Sequence, residues 1–169
     1  ADGICNIAYG LGKYIVDGGI SLRFSPKYPR NILQLSSPET VLRDTQKHFF
    51  ALDLNSDSFV TSTNDAVNLK KLRIRDGRSD PSLKHAVSYF DYDTNMVRDG
   101  YTEKSKEVVS FSNVLKHEVF PLADILKTLL EVGQKEMNLP IEIEFAVDLD
   151  VPKGLPGIFN FLQIRPIVE

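Results

Sequence analysis

Ile141-Glu142-Ile143-Glu144-Phe145-Ala146-Val147-Asp148 and, after a loop, Phe159-Asn160-Phe161-Leu162-Gln163-Ile164-Arg165-Pro166 are the stretches whose reading decides the fold. Both alternate apolar and polar residues, the pattern of strands with one face on a core. Residues two apart in a strand share a face. Glu142 and Glu144 therefore point one way, with Ile143 and Phe145 behind them. On the second strand Gln163 and Arg165 share a face, and Leu162 and Ile164 take the other. Paired, these strands place two carboxylates, an amide and a guanidinium in one polar patch above an apolar sheet. Carboxylate and amide oxygens suit a hard cation such as Mg²⁺. A guanidinium suits phosphate oxygens. Such a patch has the donors and acceptors of a metal–nucleotide site.

Immediately upstream, residues 111–137 carry the clearest helical period. Val114, Leu115, Val119, Leu122, Ile125, Leu126, Leu129, Leu130 and Val132 recur at spacings of three and four. Pro121 has no amide hydrogen, so it kinks this region or begins a second helix. Asn138-Leu139-Pro140 ends it. At the other end of the chain, Gly10-Leu11-Gly12 precedes Lys13-Tyr14-Ile15-Val16-Asp17, with Gly18-Gly19 behind. This reads as a glycine loop, a short helix and a glycine cap. Residues 22–35 read as extended, with Pro26 and Pro29 at turns or an edge. Ser36 and Glu39 fit a capping box with Pro38 in the first turn, opening a helix that runs to about His48. Residues 49–54 form a weak strand. Residues 55–109 are the least patterned part; strands at 68–75 and 87–92, joined by polar turns, point to a β-rich insertion.

The chain has 169 residues, enough for one domain with a real core. It is 42% hydrophobic and 25% charged, within the ordinary soluble range. The net charge of −3 gives no general attraction to nucleic acid or acidic membranes. No apolar run approaches a membrane span. The single cysteine, Cys5, has no internal partner, which favours a reducing, cytoplasmic setting. The chain begins without Met and starts and stops beside patterned segments, so a piece of a longer protein is expected.

Other motifs fall to simpler readings. Asp91-Tyr92-Asp93-Thr94-Asn95 starts like a calcium loop, but Met96 stands where the turn needs glycine and no Glu closes it. Asp53-Leu54-Asn55-Ser56-Asp57 fails in the same way. Lys70, Lys71, Arg73, Arg75 and Arg78 form a basic run without interleaved aromatics, best read as a solvated strand face rather than a nucleic-acid surface. His48, His85 and His117 lack metal-ligand spacing. There is no GxSxG, Walker A or GxGxxG pattern.

Ala8-Tyr9-Gly10-Leu11-Gly12-Lys13-Tyr14-Ile15-Val16-Asp17-Gly18, followed by Ile143-Glu144-Phe145-Ala146 and Leu162-Gln163-Ile164-Arg165-Pro166, resembles part of the nucleotide-binding domain of phosphoenolpyruvate synthases and pyruvate phosphate dikinases. The resemblance implies an ATP-grasp-like α+β subdomain, a mainly antiparallel sheet packed by helices; residues 55–109 have no match in it and read as a β-rich insertion. The 169 residues are expected to form one domain, the second half of that nucleotide-binding unit. By the same resemblance Glu144 and Gln163 ligate Mg²⁺ on ATP. Arg165 contacts phosphate oxygens and stabilises charge as the phosphoryl group leaves. Glu142 stands behind the metal ligands, and Gly10 and Gly12 let backbone approach the nucleotide. The parent enzyme would phosphorylate a histidine on a swivelling domain, which then phosphorylates pyruvate bound to a barrel. The isolated segment would be inactive, because the upstream half, the phosphohistidine domain and the barrel are absent. One departure is Lys13, where the family commonly has Glu after Gly-Leu-Gly. It favours a second possibility, a non-catalytic interaction or regulatory remnant. Related dikinases with another acceptor, acting on glucan or rifampicin, share the same architecture.

Overall fold

Short strands separated by turn-rich sequence cannot build one wide sheet, and the chain pairs them instead as small antiparallel ribbons. The computed structural model describes residues 2–64 and 66–168. Strand β1 (Cys5–Ile7) pairs with β2 (Leu22–Phe24), Cys5 opposite Phe24. Cys5, Ile7, Leu22 and Phe24 face inward and Asn6 and Arg23 outward, as a period of two requires. Between them lies the single-turn helix α1 (Lys13–Val16), followed by Gly18 at φ +80°. Only β2 and a one-turn 3₁₀ segment at Leu33–Leu35 are regular within the stretch expected to be extended.

Helix α2 (Pro38–Asp44) starts one residue later than the Ser36–Glu39 pattern predicts. Ser37 is the cap: its hydroxyl accepts from the Thr40 amide, and the Thr40 hydroxyl accepts from the Ser37 amide. The helix also stops before His48. Thr45 turns to extended backbone and its hydroxyl donates to the Val41 carbonyl at 2.7 Å. Buried Gln46 then spends its amide on Tyr9 and His48, so the chain leaves the helix for β3 (His48–Leu52).

The 55–109 stretch is β-rich. Strand β4 (Leu69–Arg73) pairs with β3, Phe49 opposite Leu72. After the single-turn helix α3 (Leu83–Ala86), β5 (Val87–Asp91) is the middle of a three-stranded sheet with β6 (Met96–Arg98) and β7 (Ser105–Val109) on its flanks. This stretch shares its interior with its neighbours. Phe49 packs with Ile74, Leu83, Ala86 and Val109, and Val41 of α2 packs with Phe90 and Val108.

Residues 111–137 form two helices, as Pro121 predicts. The single turn α4 (Ser112–Leu115) precedes α5 (Leu122–Met137), whose start is Pro121 and whose end is Asn138 in the left-handed region, φ 52°. Leu122 and Leu126 join Val114, Leu115 and Phe120 over the β1–β2 ribbon. At the far end of α5 the buried residue is Gly133. A Cβ there would collide with Ile141 and Ile164, so the missing side chain lets a hairpin close onto the helix.

That hairpin is β8 (Ile141–Asp148) and β9 (Ile158–Pro166). Ile141, Ile143, Phe145 and Val147 face inward, and the Phe145 and Phe159 rings stack at 5.2 Å. One expectation fails. Leu162 does not share the apolar face with Ile164. Glu144 lies opposite Gln163 and Phe145 opposite Phe161, so Leu162 is the extra residue of a β-bulge and is 62% exposed.

Among the described residues no helix is long and apolar enough to cross a membrane. Compact monomers of 19.0 kDa expose about 8,400 Å², whereas this chain exposes 11166 Å². Large apolar side chains such as Leu33, Leu54 and Val168 contribute to the excess.

Cys5 gives a direct probe of this fold. It is buried beside Phe24, and burial pushes its thiol up to about 12. Only the thiolate alkylates, so the native chain is expected to resist iodoacetamide at pH 8 and to label once guanidinium unfolds it. Mass spectrometry reads the adduct, and fast labelling of the native chain would contradict the β1–β2 packing.

Candidate functional site

The polar face of the β8–β9 hairpin is built by register alone. Glu142 lies opposite Arg165 and Glu144 opposite Gln163. Residues directly opposite in an antiparallel pair point to the same side, with Cβ atoms about 5 Å apart. All four side chains are exposed. The structure thus brings together the four residues singled out from the sequence, and the bulge beginning at Leu162 lies just beyond them. Had the bulge fallen two residues later, Gln163 would have lain opposite Ile143, out of phase with the glutamates.

Within the face, the Arg165 Nε donates to Glu142 Oε2 at 3.0 Å, and Nη2 approaches the same oxygen at 3.0 Å. Both side chains are about half exposed, so this bond contributes about 0.2–1 kcal/mol to stability. Its effect is positional: Glu142 holds the guanidinium over the strand pair, beside Glu144 and Gln163. A Glu144 carboxylate and a Gln163 amide oxygen are hard donors suited to Mg²⁺. Among the described residues no group of three His, Cys, Asp or Glu could hold a metal ion. Two oxygens fit a Mg²⁺ ion that takes its remaining ligands from water and from phosphates, the usual mode for metal–nucleotide complexes.

The glycine loop is carried elsewhere. Leu11 N donates to Phe50 O at 3.1 Å, which lays the loop on β3. Gly10 has φ +92°, and a Cβ on it would stand 2.9 Å from Phe49 Cβ and 3.0 Å from Phe50 O. Its glycine therefore follows from backbone and packing. Gly12 has open space around it at the start of α1, so its lack of a side chain has no packing cause. Lys13 pairs with Asp17 at 3.0 Å on the outside of α1. None of the hydrogen bonds or ion pairs among the described residues joins the glycine loop to the hairpin face; α1 packs on β3 and β8 on α5.

Two residues that the sequence reading missed fix the loop. Gln46, 4% exposed, accepts from Tyr9 N at 2.9 Å and donates to Tyr9 O at 2.8 Å and His48 O at 2.7 Å. The Tyr9 hydroxyl donates to Asp80 Oδ2 at 2.5 Å. Burial, with the Asp80 bond, pushes the Tyr9 phenol up. Burial opposes the Asp80 charge, yet the bonds from Tyr9 and Ser82 outweigh it and hold that carboxyl below its ordinary range. A lone Gln after a helix carries no periodic signal, and Tyr9 and Asp80 are 71 residues apart.

The remaining polar clusters are engaged internally. Lys70 pairs with Asp53, Arg78 with Glu107 and Arg75 with Asp76. Asp53 is held to about 2, chiefly by the Lys70 bond, with help from the Asn55 amide and the Ser58 hydroxyl. Asp91 accepts from the Asp93 amide and meets Arg98 across the β5–β6 turn. His117 bonds Asp99 at the surface. No protein-family model, curated protein or solved structure matches the chain.

Proposed function

We propose that the Glu142–Glu144–Gln163–Arg165 face is the metal- and phosphate-binding wall of an ATP-grasp nucleotide-binding domain of the phosphoenolpyruvate synthase and pyruvate phosphate dikinase kind. The carrying observation is the register: Glu144 opposite Gln163, with Glu142 opposite Arg165 two pairs away on the same side. Glu144 and Gln163 would hold the metal, and Mg²⁺ there would supply positive charge to offset that of the phosphates. Arg165 donates to the phosphates and stabilises charge on the departing group. Glu142 keeps the guanidinium aimed across the strands until phosphate oxygens compete for it. Gly12 offers bare backbone to the nucleotide, and Gly10 sets the loop that presents it.

In this reading the chain is about the second half of the nucleotide-binding unit. The accessible surface, larger than a compact monomer of this mass exposes, is what a missing half would cover. The parent protein, placed in the cytoplasm, passes a phosphoryl group from ATP to a histidine on a swivelling domain. That histidine then phosphorylates pyruvate held on a barrel. A second reading is a non-catalytic remnant, favoured by Lys13, whose ammonium is turned to Asp17.

Histidine labelling of the parent protein from radiolabelled Mg-ATP tests both. Active wild type with Glu144→Ala reduced by about two to three orders of magnitude, the scale of loss when an electrostatic stabiliser (here the metal that Glu144 would hold) is removed, supports the enzyme. Absence of labelling and of Mg-ATP binding in the wild type would support the remnant.

A further inference from the structure

At the closed end of the hairpin, away from the polar face, residues 149–157 fold back toward α3 and leave a groove of about 220 Å³. Its walls are Leu149, Leu155, Val119 and Pro81, and its charged residues are Lys84, Lys153 and Asp150, with His85 beside them. Asp148 lies six positions beyond Glu142 on β8, so the groove lies about 20 Å along the strand from Arg165. We propose that this groove binds a phosphate monoester with a short carbon body, the phosphate between Lys84 and Lys153 and the carbons on the apolar wall.

The charge balance favours an anion. Two lysines face one carboxylate, and none of the three is in an ion pair among the described residues, although twelve such pairs occur elsewhere. Burial, reinforced by Lys84, draws the His85 imidazole below its ordinary value, so at neutral pH it is an uncharged hydrogen-bonding wall. The volume is below the usual range for drug-sized ligands, which limits the occupant to a phosphate and a few carbons.

The walls are fixed before any ligand arrives. A Cβ on Gly157 would stand 2.6 Å from Leu149 Cδ2 and 2.9 Å from Phe120 Cδ2, so the loop is pressed onto the α4–α5 core. Leu155 N donates to Pro152 O at 3.0 Å with Gly154 at φ +89°, a tight turn with Lys153 at its first corner. Asn113 Nδ2 donates to Lys84 O at 2.8 Å and ties α3 to α4. Preorganisation of this kind lowers the ordering cost of binding.

The test titrates the 169-residue chain with glycerol 3-phosphate and, separately, inorganic phosphate at constant ionic strength, following backbone amide shifts. Saturable shifts at Gly154, Gly157 and Lys84 are expected, with the ester binding more tightly than phosphate. Lys84→Gln combined with Lys153→Gln, two exposed changes that leave the core intact, is expected to weaken the ester by about tenfold or more. Glu144→Ala is expected to leave this binding unchanged, so its outcome is separate from that of the nucleotide reading. Shifts that never saturate, an ester no tighter than phosphate, or a double variant that binds like wild type would each overturn the proposal.

Discussion

Phe90→Ala is expected to remove about 3–5 kcal/mol of folding stability, the usual loss for deleting a buried ring. Phe90 is 1% exposed, on the middle strand of the β6-β5-β7 sheet. Val41 of α2 and Val108 of β7 close over it, and the Tyr92 ring meets its edge at 5.2 Å. Strands bonded on both sides and a capped helix over the face hold the walls apart, so the space left by the ring cannot collapse. Domains commonly have about 5–15 kcal/mol in total. A chain exposing so much surface for its size sits toward the lower end of that range, so this one change removes much of its margin. Urea unfolding checks it: the midpoint should fall sharply with little change in slope. Phe90→Leu should recover about half of the loss. A shift under about 1 kcal/mol would mean that α2 and the three-stranded sheet do not form one core.

This prediction concerns the part of the chain the sequence left least readable, and the reason is physical. Strands of three to five residues give too few alternations to establish a period, so β6 and β7 were invisible and β4 and β5 were only outlined. Helix α5 and the β8–β9 hairpin were legible because sixteen and eight or more residues repeat their pattern against one core. The α2 cap was misplaced by one residue because Ser36 and Ser37 are chemically equivalent candidates. Only backbone geometry distinguishes them: Ser37 is extended and its hydroxyl reaches Thr40.

The candidate site was legible for the same reason as the hairpin. A cross-strand pair requires only register, and the apolar residues set register by their need for the core. Even the bulge left a trace. Phe159 and Phe161 occupy one phase and Ile164 the other, with Leu162 adjacent to Phe161. A strand with one buried face accommodates that change of phase by looping out a residue, which is what Leu162 does. What the sequence could not convey was distance in space. The glycine loop depends on Gln46, Phe50 and Asp80, side chains and backbone brought to it by tertiary folding from 37 or more residues away.

Gly10 and Gly12 sit two residues apart in one motif, yet their substitutions are expected to differ sharply. Gly10→Ala should cost about 2–6 kcal/mol, from left-handed backbone strain of about 1–3 kcal/mol and overpacking of about 1–3 kcal/mol. Its φ of +92° suits glycine, and the new methyl would press on Phe49 Cβ and the Phe50 carbonyl, neither of which can swing away. Gly12→Ala meets nothing within 4 Å and keeps a right-handed backbone, so stability should stay within about 1 kcal/mol of wild type. Thermal unfolding of the two variants separates these effects in the chain itself. Mg-ATP titration of the parent protein then assigns the second glycine. A nucleotide wall predicts that Gly12→Ala weakens binding while folding is intact, because the added methyl stands where the phosphates approach bare backbone. Unchanged binding would make Gly-Leu-Gly a helix-entry turn, with its first glycine fixed by β3 and its second free to vary.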